Sequence, residues 1–273
     1  MRKNRILAVP YIFWLFLFTV VPLFMVVYFA FTTSTGQLTV ENFSGMSQYA
    51  GVFFRSFRLA VISTLVCLIL GYPLAYIMSR LKPKHQTIAM ILIMLPMWMN
   101  FLVRTYAWLT ILENNGLLNQ FLSSLHLPQI HIINTPVAVG LGMIYNYLPF
   151  MILPIYTSLT KMDSSLIEAA RDIGANDRQI FIKVIFPLSI PGVLSGIIMT
   201  FVPAVSTFVI SKILGGGANM MIGDLIEMQF LGSTYNANMG ASISMVMMII
   251  VMIFVWLTGK IDKDGNGEGS GLL

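Results

Sequence analysis

The sequence predicts an all-α polytopic membrane protein, with six transmembrane helices and a cytoplasmic helix-turn-helix between the fourth and the fifth. Composition supports this fold class: 57% of the 273 residues are hydrophobic and only 10% are charged, whereas a soluble domain carries about 25% charged residues. Several apolar runs also exceed the roughly 20 residues that a helix needs to cross a bilayer core of about 30 Å. The short alternating segments of a transmembrane β-barrel are absent from the sequence.

Apolar length and helix-breaking residues define the six spans. They are predicted at residues 6–31, 59–79, 87–112, 137–159, 190–213 and 239–258. The apolar stretch of the first span is longer than the roughly 7–15 residues of a signal-peptide core, so we expect it to remain as a membrane span. Residues 1–261 are expected to form a single membrane domain, and the Gly-rich residues 262–273 a disordered cytoplasmic tail.

Basic residues alternate between the two sides of these spans. They precede the first span, lie in the second-to-third and fourth-to-fifth loops, and follow the sixth span. Because cytoplasmic loops of membrane proteins are enriched in Lys and Arg, both termini and the fourth-to-fifth loop are predicted to face the cytoplasm. The basic residues on that side are Arg2, Lys3, Arg5, Arg80, Lys82, Lys84, Lys161, Arg171, Arg178, Lys183, Lys260 and Lys263.

One charged residue, Arg104, lies within the third predicted span. At 1.5 Å per residue it is placed roughly 26 Å along a core of about 30 Å. A long arginine side chain near a membrane boundary can reach the polar headgroups, so one interpretation is an interfacial anchor. The other is a residue that lines an outward-facing cavity, because intramembrane charges usually face the bundle interior or water.

The third outer loop, residues 214–238, begins with a glycine run. Gly215, Gly216 and Gly217 are not followed by the Gly-Lys-Ser/Thr sequence of a phosphate-binding loop. The pattern therefore does not indicate nucleotide binding. We expect a flexible turn that leads into a short re-entrant or surface helix over residues 221–227.

The fourth-to-fifth loop contains a clear amphipathic pattern. Leu166, Ala169, Ala170 and Ile173 recur at the spacing of one helix face. Gly174 then suits the left-handed position that follows a helix end. Small alanine side chains allow a partner surface to approach closely, so the pattern predicts a docking helix. The alternative is an amphipathic helix that lies on the membrane surface.

Helix-capping residues predict two short helices in this loop, joined at that glycine. Ser165 and Glu168 have the S-x-x-E spacing of a capping box, with Asp163 as a competing N-cap. Asn176 and Gln179 repeat the cap spacing at the start of the second helix. The loop is therefore predicted to form a hairpin over about residues 163–187.

The same loop resembles the EAA loop of ABC-importer permeases, whose pattern is E-A-A, three residues, G, nine residues, I-x-L-P. The matching positions are Glu168, Ala169, Ala170, Gly174 and Pro187. Val184 and Phe186 differ from the pattern but remain apolar. The resemblance implies the type I importer permease fold, with a coupling helix that inserts into a groove of a cytoplasmic ATPase subunit. The residues to which it assigns ATPase coupling are Glu168, Ala169, Ala170, Arg171, Asp172 and Gly174.

Two further segments, residues 96–108 and 215–231, are similar to permeases of polyamine importers. They imply spermidine or putrescine as substrate, whose protonated amines are stabilised by carboxylates and by aromatic faces. The candidate substrate-path residues are Trp98, Asn100, Tyr106, Tyr145, Tyr147, Asp224 and Glu227. Alternatively, the aromatic residues form an interfacial belt, and the carboxylates meet only solvent or a binding protein. Arg104 in the same region argues against a simple cation-attracting funnel.

The chain lacks a Walker motif, so energy must come from a partner and this subunit is not expected to be an enzyme. The resemblance implies an ATPase dimer that binds ATP and Mg²⁺, a second permease subunit and an extracytoplasmic substrate-binding protein. It also implies a bacterial cytoplasmic membrane, with lipid around the spans. No cofactor on this chain and no nucleic-acid partner is expected.

Other function classes find less support in the residues. His85, His126 and His131 are scattered and Cys67 is the only cysteine, so neither a metal site nor an intrachain disulfide is expected. An intramembrane enzyme would need a catalytic constellation such as H-E-x-x-H. An ATP-independent secondary transporter or channel would not need the E-A-A register. A permease for another small substrate also remains an alternative.

Overall fold

The structure is a computed structural model that describes residues 10–232 and 235–267, with side chains described up to residue 261. Over these residues the chain is almost entirely helical, and an isolated β-bridge joins Thr32 to Leu38. In chain order the helices are α1 (Pro10–Ala30), α2 (Glu41–Ser44), α3 (Ala50–Ser79), α4 (Pro83–Trp98), α5 (Phe101–Leu112), α6 (Leu117–Ser124), α7 (Pro136–Thr160), α8 (Ser164–Asp172), α9 (Asp177–Ile180), α10 (Phe186–Ser206), α11 (Val209–Leu214), α12 (Ile222–Leu231) and α13 (Ala237–Gly267).

Five helical segments in this described part are long and apolar enough to cross a membrane, and a bent segment that starts with α4 makes up to six. The predicted all-α polytopic fold class is therefore confirmed. The helices α3, α7 and α10 pack against one another at the centre. Buried side chains form one cluster at each end of this centre. We call the end with Leu159 and Ile180 the hairpin end, because α8 lies there, and the end with Val139 and Leu214 the opposite end.

Glycines bring α7 and α10 close together. A Cβ atom at Gly192 would lie 2.8 Å from the carbonyl oxygen of Pro154 and 3.2 Å from the Cα atom of Ile155. A Cβ atom at Gly196 would lie 3.0 Å from the carbonyl oxygen of Met151. Backbone atoms cannot rotate away from such a clash, so only glycine fits. Small residues of this kind let membrane helices gain packing contacts that lipid cannot replace.

The peripheral helix α1 is tied to the bundle at its carboxyl end. Asn238 Nδ2 donates to the carbonyl oxygens of Phe29 (3.0 Å) and Thr32 (2.7 Å), and Asn42 Nδ2 donates to those of Ala30 (3.1 Å) and Thr32 (3.0 Å). The last carbonyl groups of a helix have no partner within that helix. Two amide side chains from α2 and α13 provide those partners, and α1 then packs along α13.

The third predicted span, residues 87–112, is not one continuous helix. It breaks after Trp98, and the helical segments on either side of the break meet at 90°. Asn100 causes the second helix to restart, because its Oδ1 accepts hydrogen bonds from the backbone N–H groups of Leu102 (2.8 Å) and Val103 (3.4 Å). Pro96 has no N–H to donate in the last turn of α4. Hydropathy averaged over a window does not detect such a cap.

The fifth predicted span, residues 190–213, is wrong at both ends. Its helix ends at Ser206, Thr207 is extended, and α11 is a separate short helix. At the other end the helix runs unbroken from Asp177 through a π-helical turn at Phe181–Ile185 into α10. The second hairpin helix, α9, is therefore continuous with the span. Its capped start is followed by no residue that would end it.

The remaining boundaries differ less. α3 begins at Ala50, earlier than the predicted residue 59, and Arg55 in this earlier part donates a hydrogen bond from its Nη1 to the Ala218 carbonyl (2.6 Å). α13 continues to Gly267, so residues 262–267 of the predicted disordered tail are helical. Extending an existing helix costs little per residue. Residues 268–273, and residues 6–9 of the first predicted span, lie outside the described residues.

Replacing Gly192 by valine is expected to destabilise the protein, because overpacking a close helix contact costs about 1–3 kcal/mol. The measurement is the melting temperature of the detergent-solubilised protein, followed by fluorescence-detected size exclusion. Gly51→Val is the control, since a Cβ atom there meets nothing within 4 Å. Equal melting temperatures for the two variants would contradict the close approach of α7 and α10.

Candidate functional site

The hairpin begins at Asp163, which is the N-cap of α8. Its Oδ1 accepts a hydrogen bond of 2.9 Å from the backbone N–H of Ser165. Asp163, the competing candidate, is therefore the cap, and the helix does not begin with a capping box of Ser165 and Glu168. The hydrogen bonds from Ser165, its backbone N–H first and then its hydroxyl, lower the pKa of the Asp163 carboxyl. The cap consequently contributes to stability above the ordinary carboxyl range and is lost as the pH falls through this lowered pKa.

Gly174 makes the turn between the two hairpin helices. Its φ angle is +83°, in the left-handed region, as the sequence predicted. The Gly174 N–H donates to the Arg171 carbonyl (2.9 Å), and the Ala175 N–H donates to the Ala170 carbonyl (3.0 Å). This pair of hydrogen bonds is the Schellman motif, which satisfies two carbonyls at the end of α8.

The second half of the hairpin starts with the predicted capping box. Asn176 Oδ1 accepts from the Gln179 N–H and Gln179 Oε1 accepts from the Asn176 N–H, both at 2.9 Å. This prediction is confirmed. An ion pair of 3.5 Å between Arg171 and Asp177 also crosses the turn, but both side chains are exposed and such pairs contribute little. Local backbone chemistry, not charge, therefore sets the shape of the hairpin.

The helix α8 has two apolar faces with different neighbours. Ile167 and Ala170 are half-buried against the core cluster at the hairpin end. Leu166, Ala169 and Ile173 are exposed, and Ile173 is 87% exposed. The predicted stripe of Leu166, Ala169, Ala170 and Ile173 therefore faces mainly away from the bundle. An apolar strip in this position is typical of a surface that binds a partner.

Polar residues of α8 border that exposed strip. Glu168, Arg171 and Asp172 are all exposed, and Glu168 makes no side-chain hydrogen bond or ion pair within the described part of the chain. The six predicted coupling residues therefore lie on α8 and in the glycine turn that follows it, and only Ala170 faces the bundle. Charge at the border of an apolar patch gives specificity to docking.

An aromatic cluster joins the hairpin to the centre of the bundle. The Phe181 ring lies 6.0 Å from that of Tyr72 and 5.4 Å from that of Tyr76, and both contacts are edge-to-face. The Tyr72 hydroxyl shares a buried hydrogen bond of 2.9 Å with the hydroxyl of Ser189. Phe181 belongs to the π-helical turn, a local irregularity that often occurs at functional sites. The hairpin is thereby in contact with α3 and α10.

A cleft lies between α5, α11 and α12 in the half of the bundle away from the hairpin. It encloses about 430 Å³, and Tyr106 and Glu227 both line it. Lys212, also at the cleft, donates to Glu227 Oε1 at 2.8 Å and to Oε2 at 3.0 Å. The two residues are 15 apart in sequence, so no local pattern predicted this pairing. The remaining lining residues are Leu102, Leu109, Phe208, Val209 and Ile213.

Asp224 lies one helical turn before Glu227 on α12. It is only 7% exposed, and its Oδ2 accepts a hydrogen bond of 2.8 Å from the Met221 N–H at the start of the helix. Its Oδ1 has no hydrogen-bond partner within the described residues. The predicted short helix after the glycine run is confirmed, and one carboxylate oxygen at its start is left unpaired.

The other predicted path residues lie elsewhere. Trp98 is 78% exposed at the end of α4, and Asn100 serves as the cap of α5. The Tyr145 ring packs edge-to-face on Trp108, with the ring centres 5.3 Å apart. The buried Tyr147 hydroxyl donates to the Pro203 carbonyl at 3.3 Å. None of these four residues lines the cleft that contains Tyr106 and Glu227.

The sequence left two interpretations of Arg104 open, and the structure shows that this residue is buried. It is 9% exposed, its guanidinium lies 5.9 Å from the centre of the Phe101 ring, and its Nε has no partner within the described residues. An anchor would extend to the surface, so burial favours a residue of the bundle interior. The estimate from sequence placed Arg104 near the membrane boundary because it assumed one straight helix. The break at Asn100 removes that assumption.

The apolar spans, the exposed apolar face of the hairpin and the polar cleft are together typical of a membrane permease subunit. A family model described as binding-protein-dependent transport system inner membrane component matches residues 2–259. The chain belongs to this family, and its predicted resemblance to ABC-importer permeases is confirmed.

Curated relatives cover nearly the whole chain. The spermidine/putrescine transport system permease protein PotB of Haemophilus influenzae is 36% identical over 267 residues, 93% of each chain. PotB of Escherichia coli K12 is 35% identical over 261 residues, 91% of this chain and 94% of that protein. The inner membrane ABC transporter permease protein YdcU of Escherichia coli K12 is 33% identical over 242 residues, 82% of this chain and 77% of that protein.

Solved structures confirm the fold. A chain of a bacterial ABC transporter involved in the import of the acidic polysaccharide alginate matches with a TM-score of 0.81 and 15% identity, over 96% of this chain and 95% of that chain. A chain of the MetNI methionine ABC transporter in an inward-facing conformation matches with a TM-score of 0.64 and 16% identity, over 81% of this chain and 98% of that chain. The shared fold is that of ABC importer permeases.

Gly174→Ala is expected to loosen the hairpin, because an L-residue in the left-handed region costs about 1–2 kcal/mol. No atom lies within 4 Å of the position of an added Cβ, so the effect comes from backbone conformation alone. The measurement is amide hydrogen exchange at Ala175, which should become faster. Gly174→Asn is the matched control and should restore slow exchange, since Asn tolerates this conformation. Wild-type exchange in the alanine variant would contradict the assignment.

Proposed function

We propose that this chain is one of the two permease subunits of an ATP-driven ABC importer for polyamines, spermidine or putrescine. The observation that carries the proposal is the exposed apolar face of α8, on a chain about 35% identical along almost its entire length to permeases named for spermidine and putrescine transport. The subunit forms half of the translocation path and has no ATPase site of its own.

The proposed orientation places both termini and the hairpin in the cytoplasm of a bacterium. The distribution of Lys and Arg residues supports it. The proposed partners are a PotA-like ATPase dimer that binds ATP and Mg²⁺, a PotC-like second permease and a PotD-like substrate-binding protein outside. This chain supplies the docking hairpin, and the nucleotide chemistry belongs to the ATPase.

Coupling follows from the two faces of α8. Leu166, Ala169 and Ile173 enter the ATPase groove, while Ile167 and Ala170 hold the helix on the bundle. Closure of the ATPase dimer then moves α8 as a lever, and the aromatic cluster transmits the movement to α3 and α10. The bundle changes between inward-open and outward-open states as a largely rigid rearrangement.

The proposed substrate path includes the cleft beside α12. Glu227 and Tyr106 line it, and a carboxylate together with an aromatic face is a suitable acceptor for a protonated amine. Asp224 adds a second carboxylate one turn away. The other proposed path residues lie outside this cleft, and they are Trp98, Asn100, Tyr145 and Tyr147.

The direct test is uptake of labelled spermidine and putrescine by the full complex reconstituted in vesicles. We expect uptake that requires ATP on the cytoplasmic side of the membrane. Excess unlabelled polyamine should abolish the uptake of label. Uptake without ATP would indicate a secondary transporter. ATP hydrolysis by the complex without uptake of either polyamine would indicate an importer of another small substrate.

Ile173→Asp is expected to prevent association with the ATPase, because it puts a charge into the apolar docking face. The ATPase subunit should be lost, or reduced about tenfold or more, when the permease is purified from co-expressing cells. Leu38→Asp is the matched control, since Leu38 is similarly exposed but lies at the opposite end. Normal co-purification with Ile173→Asp would contradict docking through this face.

Glu168→Lys is expected to abolish transport while the subunit still inserts in the membrane, because it reverses a charge at the border of the docking face. The measurements are labelled spermidine uptake and the amount of protein in the membrane fraction. Glu113→Lys is the control, an exposed acid at the opposite end. Uptake at the control level would refute a coupling role for Glu168.

A further inference from the structure

The side chain of Lys212 has the chemistry of the proposed substrate. Lysine carries an ammonium group on four methylene carbons, which is the aminobutyl group found at the end of putrescine and spermidine. In the structure this ammonium bridges both carboxylate oxygens of Glu227, at 2.8 and 3.0 Å. Lys212 thus forms with Glu227 the contact that a polyamine end would make there.

The rest of the cleft suits the same group. Leu102, Leu109 and Ile213 offer aliphatic surface for methylene carbons, and Tyr106 and Phe208 offer aromatic surface for an ammonium or its adjacent carbon. The volume of about 430 Å³ is within the range of small-molecule sites. An aliphatic wall beside one carboxylate selects for a short chain that ends in a cation.

The pairing is reversible. The Lys212 side chain is 62% exposed, whereas that of Glu227 is 26% exposed, so the ammonium can leave toward solvent while the carboxylate stays in the cleft. Partly exposed ion pairs are weak. A second cation that enters the cleft can therefore displace Lys212 from Glu227.

We propose that the cleft between α5, α11 and α12 is a binding site for the aminobutyl end of a polyamine, and that Lys212 is a tethered competitor that occupies Glu227 until substrate displaces it. This inference rests on the proposed polyamine import. It assigns substrate recognition to Glu227, and it assigns to Lys212 the role of pairing with Glu227 while no substrate is bound. A monovalent inorganic cation lacks the chain that the aliphatic wall holds, and so does not displace Lys212.

The test uses the full complex in detergent without the binding protein, with labelled putrescine as probe. Lys212→Met keeps an unbranched side chain and removes the charge, and is expected to bind putrescine about fivefold more tightly. A weak, partly exposed ion pair leaves the site free about a fifth of the time, and the apparent affinity is reduced by that factor. Glu227→Gln should weaken binding about tenfold or more in either background. Lys260→Met, at an exposed lysine on α13, should change nothing.

Unchanged or weaker putrescine binding in Lys212→Met would overturn the inference, the latter because Lys212 would then support Glu227 and not compete for it. If that variant fails to assemble, Lys212→Gln provides the same comparison. Uptake of polyamine by the wild-type complex separates the two claims: uptake with unchanged Lys212→Met affinity refutes only the competitor. Absence of polyamine uptake by the wild type refutes the proposed function itself.

Discussion

The bundle depends on one constraint: in an apolar environment, each backbone N–H and C=O group must find a partner inside the protein. Amide side chains provide these partners at two of the breaks in the helices. Asn100 caps the restart of α5. Asn219 Nδ2 donates to the carbonyls of Asn134 (2.8 Å) and Gly215 (3.0 Å) at the turn that follows α11. These caps allow irregular backbone next to the cleft, which straight helices could not form.

In the hairpin, the backbone groups also find hydrogen-bond partners, but these partners lie within the hairpin itself. The Schellman motif at Gly174 and the reciprocal cap of Asn176 and Gln179 complete the backbone hydrogen bonds without help from the bundle. The side chains of α8 are therefore free to face in two directions. Ile167 attaches the helix to the core and Ile173 remains exposed. A rigid element with an inner and an outer apolar face is suited to transmit a partner's motion into the membrane.

Local chemistry was predictable from sequence, and long-range pairing was not. The left-handed Gly174 and the Asn176–Gln179 box follow from neighbouring residues, and the structure confirms both. The break at Asn100 escaped prediction because a single capping side chain does not alter mean hydropathy. The pair of Lys212 and Glu227 escaped for another reason: the residues are 15 apart in sequence and meet only because the chain folds back between α11 and α12.

The central claim is that the outer face of α8 contacts the ATPase while the inner face contacts the bundle. Site-specific photo-crosslinking tests it most directly, with a photoreactive amino acid placed at Ile173 or at Ile167 in the assembled complex. The account predicts a crosslink to the ATPase subunit from position 173, and only intramolecular crosslinks from position 167. A crosslink to the ATPase from position 167 alone, or from neither position, would contradict the account.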